Sequence, residues 1–374
     1  MANKNMKNLL IAATCTAFAS LMCAAAPEQK ESFIKGVDIS FLPQMEKLGA
    51  TYSDKGQKKD LLTLMKDHGM NTVRLRVWHT PRNGHCGKET TLKMARRVRD
   101  AGMKLVIDLH YSDIWADPTH QIKPAAWTNL PFSDLEKNVK EYTGDIILSL
   151  VRQKTPPDIV QVGNEITYGM LWDDGNIGKF NDDIHWKQFS QLLKAGLAGV
   201  MESEGKRYQI KTMIHIDCGG NNETSRWFFD NLQKHGVAFD LIGLSYYNWW
   251  HGTMKDLGKN MNDLATRYNK DVVVIETAQP WFLYNTGKKK KGEFDFHPGY
   301  QATVNGQESY LRNLIALVRN VPNQHGKGVV YWAPEWIPIK GSGSTWGEMT
   351  LFDNQGQALP SINAFNDFWN PALK

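Results

Sequence analysis

Eight short runs rich in valine, isoleucine and leucine recur along this chain with helical patterns between them, at residues 36–40, 72–78, 104–110, 158–163, 211–217, 241–247, 272–275 and 328–332. Strands separated by helices return to a sheet in the same direction, so the sheet is parallel and both of its faces must be covered. Eight such strands can close on themselves, which predicts an α/β fold, a (β/α)8 TIM barrel in a single domain. Glycine placement agrees with this. His68-Gly69-Met70, Ala101-Gly102-Met103 and His235-Gly236-Val237 each set glycine between a helical stretch and a strand, where the left-handed helix cap costs it little. Leu61, Leu62, Leu64 and Met65 give one intervening helix its apolar side, and Leu92, Met94, Ala95 and Val98 do the same for the next, as core residues.

The first residues belong to a different pattern. Lys4 and Lys7 precede an apolar run at residues 9–22, followed by Ala24, Ala25 and Ala26. A positive start, a short apolar stretch and small residues make a secretory leader, while a membrane span needs about 20 apolar residues. Residues 1–25 are therefore expected to be a signal peptide and residues 26–374 the catalytic barrel, exported to the periplasm, the medium or the outer-membrane surface. No second long apolar run follows, so no membrane span is expected. The formal net charge of +5 includes the leader lysines, and the densest basic run, residues 288–291, sits in one loop, so nucleic acid is not implied as a partner. Two of the four cysteines lie in the leader, leaving Cys86 and Cys218 either to bridge or to stay free.

Alternation within a strand separates the barrel interior from the helix-facing side. Val73, Leu75 and Val77 face one way, so Arg74 and Arg76 face inward; Val106, Asp108 and His110 do so in the third strand. The same parity turns Gln161, Gly163 and Glu165 inward in the fourth strand, Gly243, Ser245 and Tyr247 in the sixth, and Val272, Val274 and Glu276 in the seventh. Two segments share one design, Ile159-Val160-Gln161-Val162-Gly163-Asn164-Glu165 and Val272-Val273-Val274-Ile275-Glu276: a buried strand that ends in glutamate at the mouth where barrel active sites form. A lone glutamate after a strand is usually a solvated loop residue or a cap, but two across one mouth suit glycosidic cleavage. That reaction needs one carboxyl group to protonate the leaving oxygen and another to act on the opposite face as nucleophile or base.

On this reading Glu165 is the acid, later the base, with a pKa raised by burial and by Glu276. Glu276 is the nucleophile, kept ionised by Arg74 or Arg76 and by the Tyr247 hydroxyl, and Asn164 holds the sugar 2-hydroxyl. Asp108 reads as part of an ion-pair layer beneath the site, whereas Arg76, His110 and His215 are either substrate contacts or satisfied barrel residues.

The stretch Asp108-Leu109-His110-Tyr111-Ser112-Asp113-Ile114-Trp115-Ala116-Asp117-Pro118, with Gln121, Pro124 and Trp127, closely resembles glycoside hydrolase family 53, the endo-β-1,4-galactanases. So do Val77-Trp78, Gly163-Asn164-Glu165, Ser245-Tyr246-Tyr247 with Trp249-Trp250-His251-Gly252, and Ile275-Glu276-Thr277. The resemblance implies a retaining mechanism on β-1,4-galactan, the side chain of pectin and type I arabinogalactan, with Glu165 as acid/base, Glu276 as nucleophile and no cofactor needed for catalysis. Two departures stand out. Trp332 is followed by Ala333-Pro334-Glu335-Trp336 where the family commonly reads Trp-Glu-Pro, and Glu293, Asp295 and His297 alternate like the calcium ligands of some bacterial members, although Gly299 offers no side chain. A structural calcium ion is therefore an expectation for that loop.

Thirteen tryptophans are more than a core of this size needs, and flat rings stack on the CH faces of sugars. Trp115, Trp249, Trp332 and Trp336 are the candidates to line the groove, with Trp332, last in its strand, as the floor of the cleaved subsite; Trp250, Trp281 and Trp346 also follow strands on that side. The partner is galactan or its oligosaccharides, and the enzyme is expected to act as a monomer. The alternatives are a mannanase or xylanase with the same glutamates, and a noncatalytic carbohydrate-binding barrel. The first strand, Asp38-Ile39-Ser40, has no His-x-His, which counts against a metal-dependent hydrolase.

Overall fold

A computed structural model of the chain describes residues 32–283 and 299–366. The compact unit that begins at Phe33 carries eight parallel strands: β1 (Ile34–Asp38), β2 (Thr72–Val77), β3 (Lys104–Leu109), β4 (Ile159–Val162), β5 (Lys211–Ile216), β6 (Leu241–Ser245), β7 (Asp271–Thr277) and β8 (Gly326–Trp332). Hydrogen-bonded neighbours run β1-β8-β7-β6-β5-β4-β3-β2 and close on β1, a TIM barrel as expected. Helices α1 (Leu42–Lys47) and α2 (Leu61–Asp67) both follow β1, and α3 (Lys88–Asp100), α4 (Phe132–Arg152), α5 (Asp183–Val200), α6 (Asn222–Lys234), α7 (Met254–Tyr268) and α8 (Val304–Arg319) follow β2 to β7 in turn. The signal-peptide segment, residues 1–25, lies outside the described residues. So do Glu293, Asp295 and His297.

Local chemistry explains the helix ends. Asp60 caps α2 by accepting from the Thr63 backbone N–H at 3.1 Å, Asn221 caps α6 through Thr224, and Thr253 and Asp256 form a reciprocal capping box on α7. At the exits Gly69, Gly102 and Gly236 have φ of 85°, 70° and 65°, a backbone region in which a Cβ is strained.

Two apolar layers hold the barrel. The helices press Phe189, Leu193, Phe228, Leu264 and Leu314 onto the outward strand residues. Inside, near the floor, Val106, Ile159, Met213, Leu241, Val273, Ile275 and Val330 form a separate plug. The seventh strand differs from simple alternation here, because Val272 and Val274 belong to the outer layer while Val273 and Ile275 point inward. The cause is a bulge. Leu244 pairs with Val274 but Ser245 pairs with Glu276, so β7 carries one extra residue, and both Ile275 and Glu276 reach the interior. Above the plug the inward side chains include the buried polar residues Asp38, Arg74, Asp108, Gln161, His215 and Ser245.

Ile275→Ala should lower stability by about 2–5 kcal/mol, the usual cost of emptying a packed aliphatic site. Guanidinium unfolding would report it as a lower midpoint, and an unchanged midpoint would contradict its close packing.

Candidate active site

Polar residues at the upper ends of buried strands must satisfy each other, and here they converge on one cation. Arg74 of β2 is 1 % exposed and its guanidinium reaches Asp38 of β1 at 2.8 Å, Asp108 of β3 at 2.9 Å and Glu276 of β7 at 2.8 Å. It also donates to Gln161 Oε1 at 3.1 and 3.0 Å and to Asn164 Oδ1 at 2.7 Å. Burial opposes its charge, but Asp108, Glu276 and Asp38 together outweigh that and hold it protonated. Register makes the meeting possible, since Asp38 lies beside Arg74 across the β1–β2 seam and Asp108 pairs with Gln161 across the β3–β4 seam.

Arg76, one pleat nearer the mouth, makes no such pair. Its Cζ lies 4.1 Å from the Phe41 ring centre and 4.2 Å from that of Trp115, and Nε and Nη1 meet no hydrogen-bond acceptor among the described residues. It is 3 % exposed and underpins the aromatic rings by cation–π contact. The arginine beside Glu276 is thus Arg74. Strand parity cannot tell the two apart, because both point inward and only their height differs.

Glu276 is buried, with its second oxygen accepting from the Tyr247 hydroxyl at 3.1 Å. Burial pushes its pKa up to about 7, with Asp108 and Asp38 adding to this while Arg74 and Tyr247 oppose it. Glu165 sits in the turn after β4 with φ of 48°, a left-handed conformation of the kind that collects at functional sites. Its Oε1 accepts from Ser245 Oγ at 2.6 Å, and its pKa is raised well above the ordinary carboxylate value by burial, then by Glu276 and Asp217. One glutamate therefore has a cation at its side, and the other has only neutral donors and negative neighbours.

The residues around them are firmly held. His110 gives both ring nitrogens to protein partners: Nε2 is 2.9 Å from Asp108, and Nδ1 accepts from the Ala116 backbone N–H at 3.1 Å. The ring is 3 % exposed. Asn164 Oδ1 is taken by Arg74, and Nδ2 donates to the Ala116 carbonyl at 2.9 Å, which leaves one N–H for a ligand. The long motif after β3 is explained by such ties. Gln121 holds the Asn164 carbonyl at 2.8 Å, and Asp113 holds the backbone N–H groups of Thr80 at 2.8 Å and Ala125 at 2.9 Å. Cys86 and Cys218 are free and buried.

Aromatic rings wall the mouth. Trp332 is half-buried and meets Trp346 at 4.9 Å and Trp115 at 5.9 Å. Trp249 packs on Tyr247 at 5.3 Å, and Trp336 stacks on Phe41 at 3.9 Å. On the Glu165 side the wall opens into a cleft of about 720 Å³, bordered by Asp217, Tyr168 and Trp250, with Trp250 57 % exposed. From the sequence Asp38 and Ser245 have no assigned role, and Arg74 is only one of two arginines that could sit beside Glu276. Parity had marked Arg74 and Ser245 as inward, and that was the available signal. Among the described residues no group of three or more side chains is placed to hold a metal ion, and no helix is long and apolar enough to cross a membrane.

The sequence model of glycosyl hydrolase family 53 matches residues 34–365. The chain is 46 % identical over 347 residues to an uncharacterised protein of Niallia circulans, covering 90 % of this chain and 94 % of that one. It is 33 % identical over 374 residues to an arabinogalactan endo-β-1,4-galactanase of Cellvibrio japonicus, covering 96 % and 97 %. The solved catalytic domain of a family 53 protein of Ignisphaera aggregans superposes with a TM-score of 0.82 at 36 % identity, covering 92 % of this chain and 98 % of that one.

Replacing Arg74 with methionine leaves three carboxylates facing one another and should cost about 3–5 kcal/mol in chemical denaturation near neutral pH. Those carboxyls then take up protons more readily, so the penalty should shrink as pH is lowered. Arg76→Met, which removes cation–π contacts from a desolvated site, should cost less, about 2 kcal/mol. Equal losses for the two variants would contradict the difference in their surroundings.

Proposed function

The chain belongs to glycosyl hydrolase family 53 and is a glycoside hydrolase, and on that footing we propose that it is an endo-β-1,4-galactanase that cleaves β-1,4-galactan with retention of configuration. Relatives at this similarity that carry an activity in their names are arabinogalactan endo-β-1,4-galactanases, which favours galactan over mannan or xylan. The observation that carries the mechanism is the contrast between the two glutamates. Glu276 has Arg74 at 2.8 Å and the Tyr247 hydroxyl at 3.1 Å, so it ionises first and serves as the nucleophile. Glu165 has Ser245 at 2.6 Å and keeps its proton, so it serves as the acid. Two carboxyl groups whose surroundings separate their titration divide the roles in this way.

In the first step the Glu165 proton passes to the glycosidic oxygen as the C1–O bond breaks, and a Glu276 oxygen bonds to C1. Water, deprotonated by Glu165, then attacks C1 and releases Glu276, and the two inversions give retention; the carboxyl groups are expected roughly 5 Å apart for this. Tyr247 donates to the nucleophile, and the remaining Nδ2 proton of Asn164 is available to the sugar 2-hydroxyl. Trp332, with Trp346 and Trp249 beside it, forms the floor and wall for the sugar that is cleaved, and Trp115 and Trp336 line the groove beyond it. Leaving-group sugars occupy the cleft between Tyr168 and Trp250, next to the acid. Residues 1–25 direct export, on the strength of their charge and hydropathy pattern.

Glu276→Ala should lose nearly all turnover on potato galactan and regain some with azide, giving a product of inverted anomeric configuration. Glu165→Ala should lose about 10²–10⁴-fold on galactan yet retain activity on substrates with good leaving groups. The wild-type kcat/KM should rise with pH as Glu276 ionises, near 7, and fall at higher pH as Glu165 loses its proton; Glu165→Ala should lack the basic limb. Proton NMR of the products, with galactan, mannan and xylan compared, checks the set, and mannan turnover without galactan turnover would overturn the substrate.

A further inference from the structure

Ser245 lies on the sixth strand with no exposure, between two partners. Its Oγ is 2.6 Å from Glu165 Oε1 and 2.9 Å from His215 Nε2. A hydroxyl has one proton to give, so its direction depends on the histidine. His215, on the fifth strand, is fully buried, and its Nδ1 faces three groups: Gln161 Nε2 at 3.0 Å, the Glu165 backbone nitrogen at 3.4 Å and Asn164 Oδ1 at 3.0 Å. The first two are donors only. Gln161 is oriented because its Oε1 accepts from Arg74, and a backbone N–H has no alternative role. Gln161 Nε2 has two protons, one of them held by Asp108 at 2.6 Å, and Asn164 Oδ1 already accepts from Arg74 at 2.7 Å. Two donors against one occupied acceptor leave Nδ1 without a proton.

The proton of a neutral imidazole then sits on Nε2 and points at Ser245 Oγ. Protonation of both nitrogens is opposed by burial and by Arg74, His110 and His251. With one lone pair of Oγ occupied by the histidine, the Ser245 proton goes to Glu165 Oε1. A carboxylic proton on that same oxygen would meet the Ser245 hydroxyl head-on. Glu165 Oε2 accepts no hydrogen bond from the described residues.

We propose that Ser245 and His215 are positioning residues for Glu165, a one-way hydrogen-bond chain that confines the acid's proton to Oε2, the oxygen that meets the leaving group. The inference rests on the reading of Glu165 as the acid. In the glycosidic step the Oε2–H bond breaks, the proton bonds to the leaving oxygen, and the C1–O electron pair goes to that oxygen. The carboxylate that forms keeps Ser245 on Oε1, and in the second step water returns a proton to Oε2. The charged and titratable groups facing Glu165 are Glu276 from β7, Asp217 and Cys218 after β5, Asp117 in the loop after β3 and Tyr247 after β6; Ser245 is the neutral donor that favours the ionised form against them.

The test compares Ser245→Ala, Ser245→Thr and His215→Phe with wild type on galactan and on a dinitrophenyl β-galactobioside, whose leaving group needs no proton. Ser245→Ala should lose about 10- to 100-fold in kcat on galactan, the worth of a hydrogen bond to a charged group. It should lose much less on the aryl substrate, with the basic limb of kcat/KM moved to higher pH. Ser245→Thr, which keeps the hydroxyl, should recover the wild-type limb, and His215→Phe should move it the same way as alanine but less far. Equal losses on both substrates with an unmoved basic limb would mean a purely structural role and overturn the proposal. A Glu165→Ala control separates the failures. If that variant keeps the basic limb, the acid assignment itself falls; if it loses the limb while Ser245→Ala leaves it in place, only the positioning chain falls.

Discussion

Everything at the mouth of this barrel depends on one buried cation surrounded by more negative charge than it can neutralise. Arg74 faces Asp38, Asp108 and Glu276 within 2.9 Å. Charges taken out of water so completely are tolerated only when each is paired and hydrogen-bonded, and the strands supply that. Asp38 also accepts from the Ser40 hydroxyl at 2.6 Å, Asp108 from Gln161 at 2.6 Å, and Glu276 from Tyr247. The consequence is functional. Burial, with Asp108 and Asp38 adding to it, keeps Glu276 hard to ionise while Arg74 opposes them, and Glu165 has only burial and negative neighbours acting on it, relieved by the Ser245 hydroxyl.

The same network fixes geometry. Gln161 and Asn164 are oriented by Arg74, and they in turn fix the proton on His215, which fixes Ser245 and so Glu165. Each step removes a rotational choice from a side chain that must act in a set direction, so little reorganisation is left for the moment of reaction. Around this polar core the tryptophans form an apolar wall that the protein does not fill, with Trp332, Trp249 and Trp346 left half-buried.

Much of this was legible in the sequence, because strand periodicity reflects burial directly. The eight strands, the glycine exits, the inward set of Arg74, Asp108, Gln161 and Ser245, and the two glutamates at strand ends all follow from it. The seventh strand was misread because a bulge is a matter of pairing with the neighbours: nothing in Val272-Val273-Val274-Ile275-Glu276 says where an extra residue enters. Arg74 and Arg76 were indistinguishable for a related reason, since height above the barrel floor depends on register between strands distant in sequence. His110, an inward histidine near the mouth, has polar atoms to offer; that both meet Asp108 and Ala116 depends on the fold of the loop after β3. The calcium-like alternation at Glu293, Asp295 and His297 falls outside the described residues.

The most direct test of the two-glutamate account is to trap the glycosyl-enzyme with a 2-deoxy-2-fluoro β-galactobiosyl fluoride and map the modified residue by mass spectrometry. The account predicts a single adduct, carried by Glu276 and absent from the Glu276→Ala variant. An adduct on any other residue, or none together with a product of inverted configuration, would contradict it.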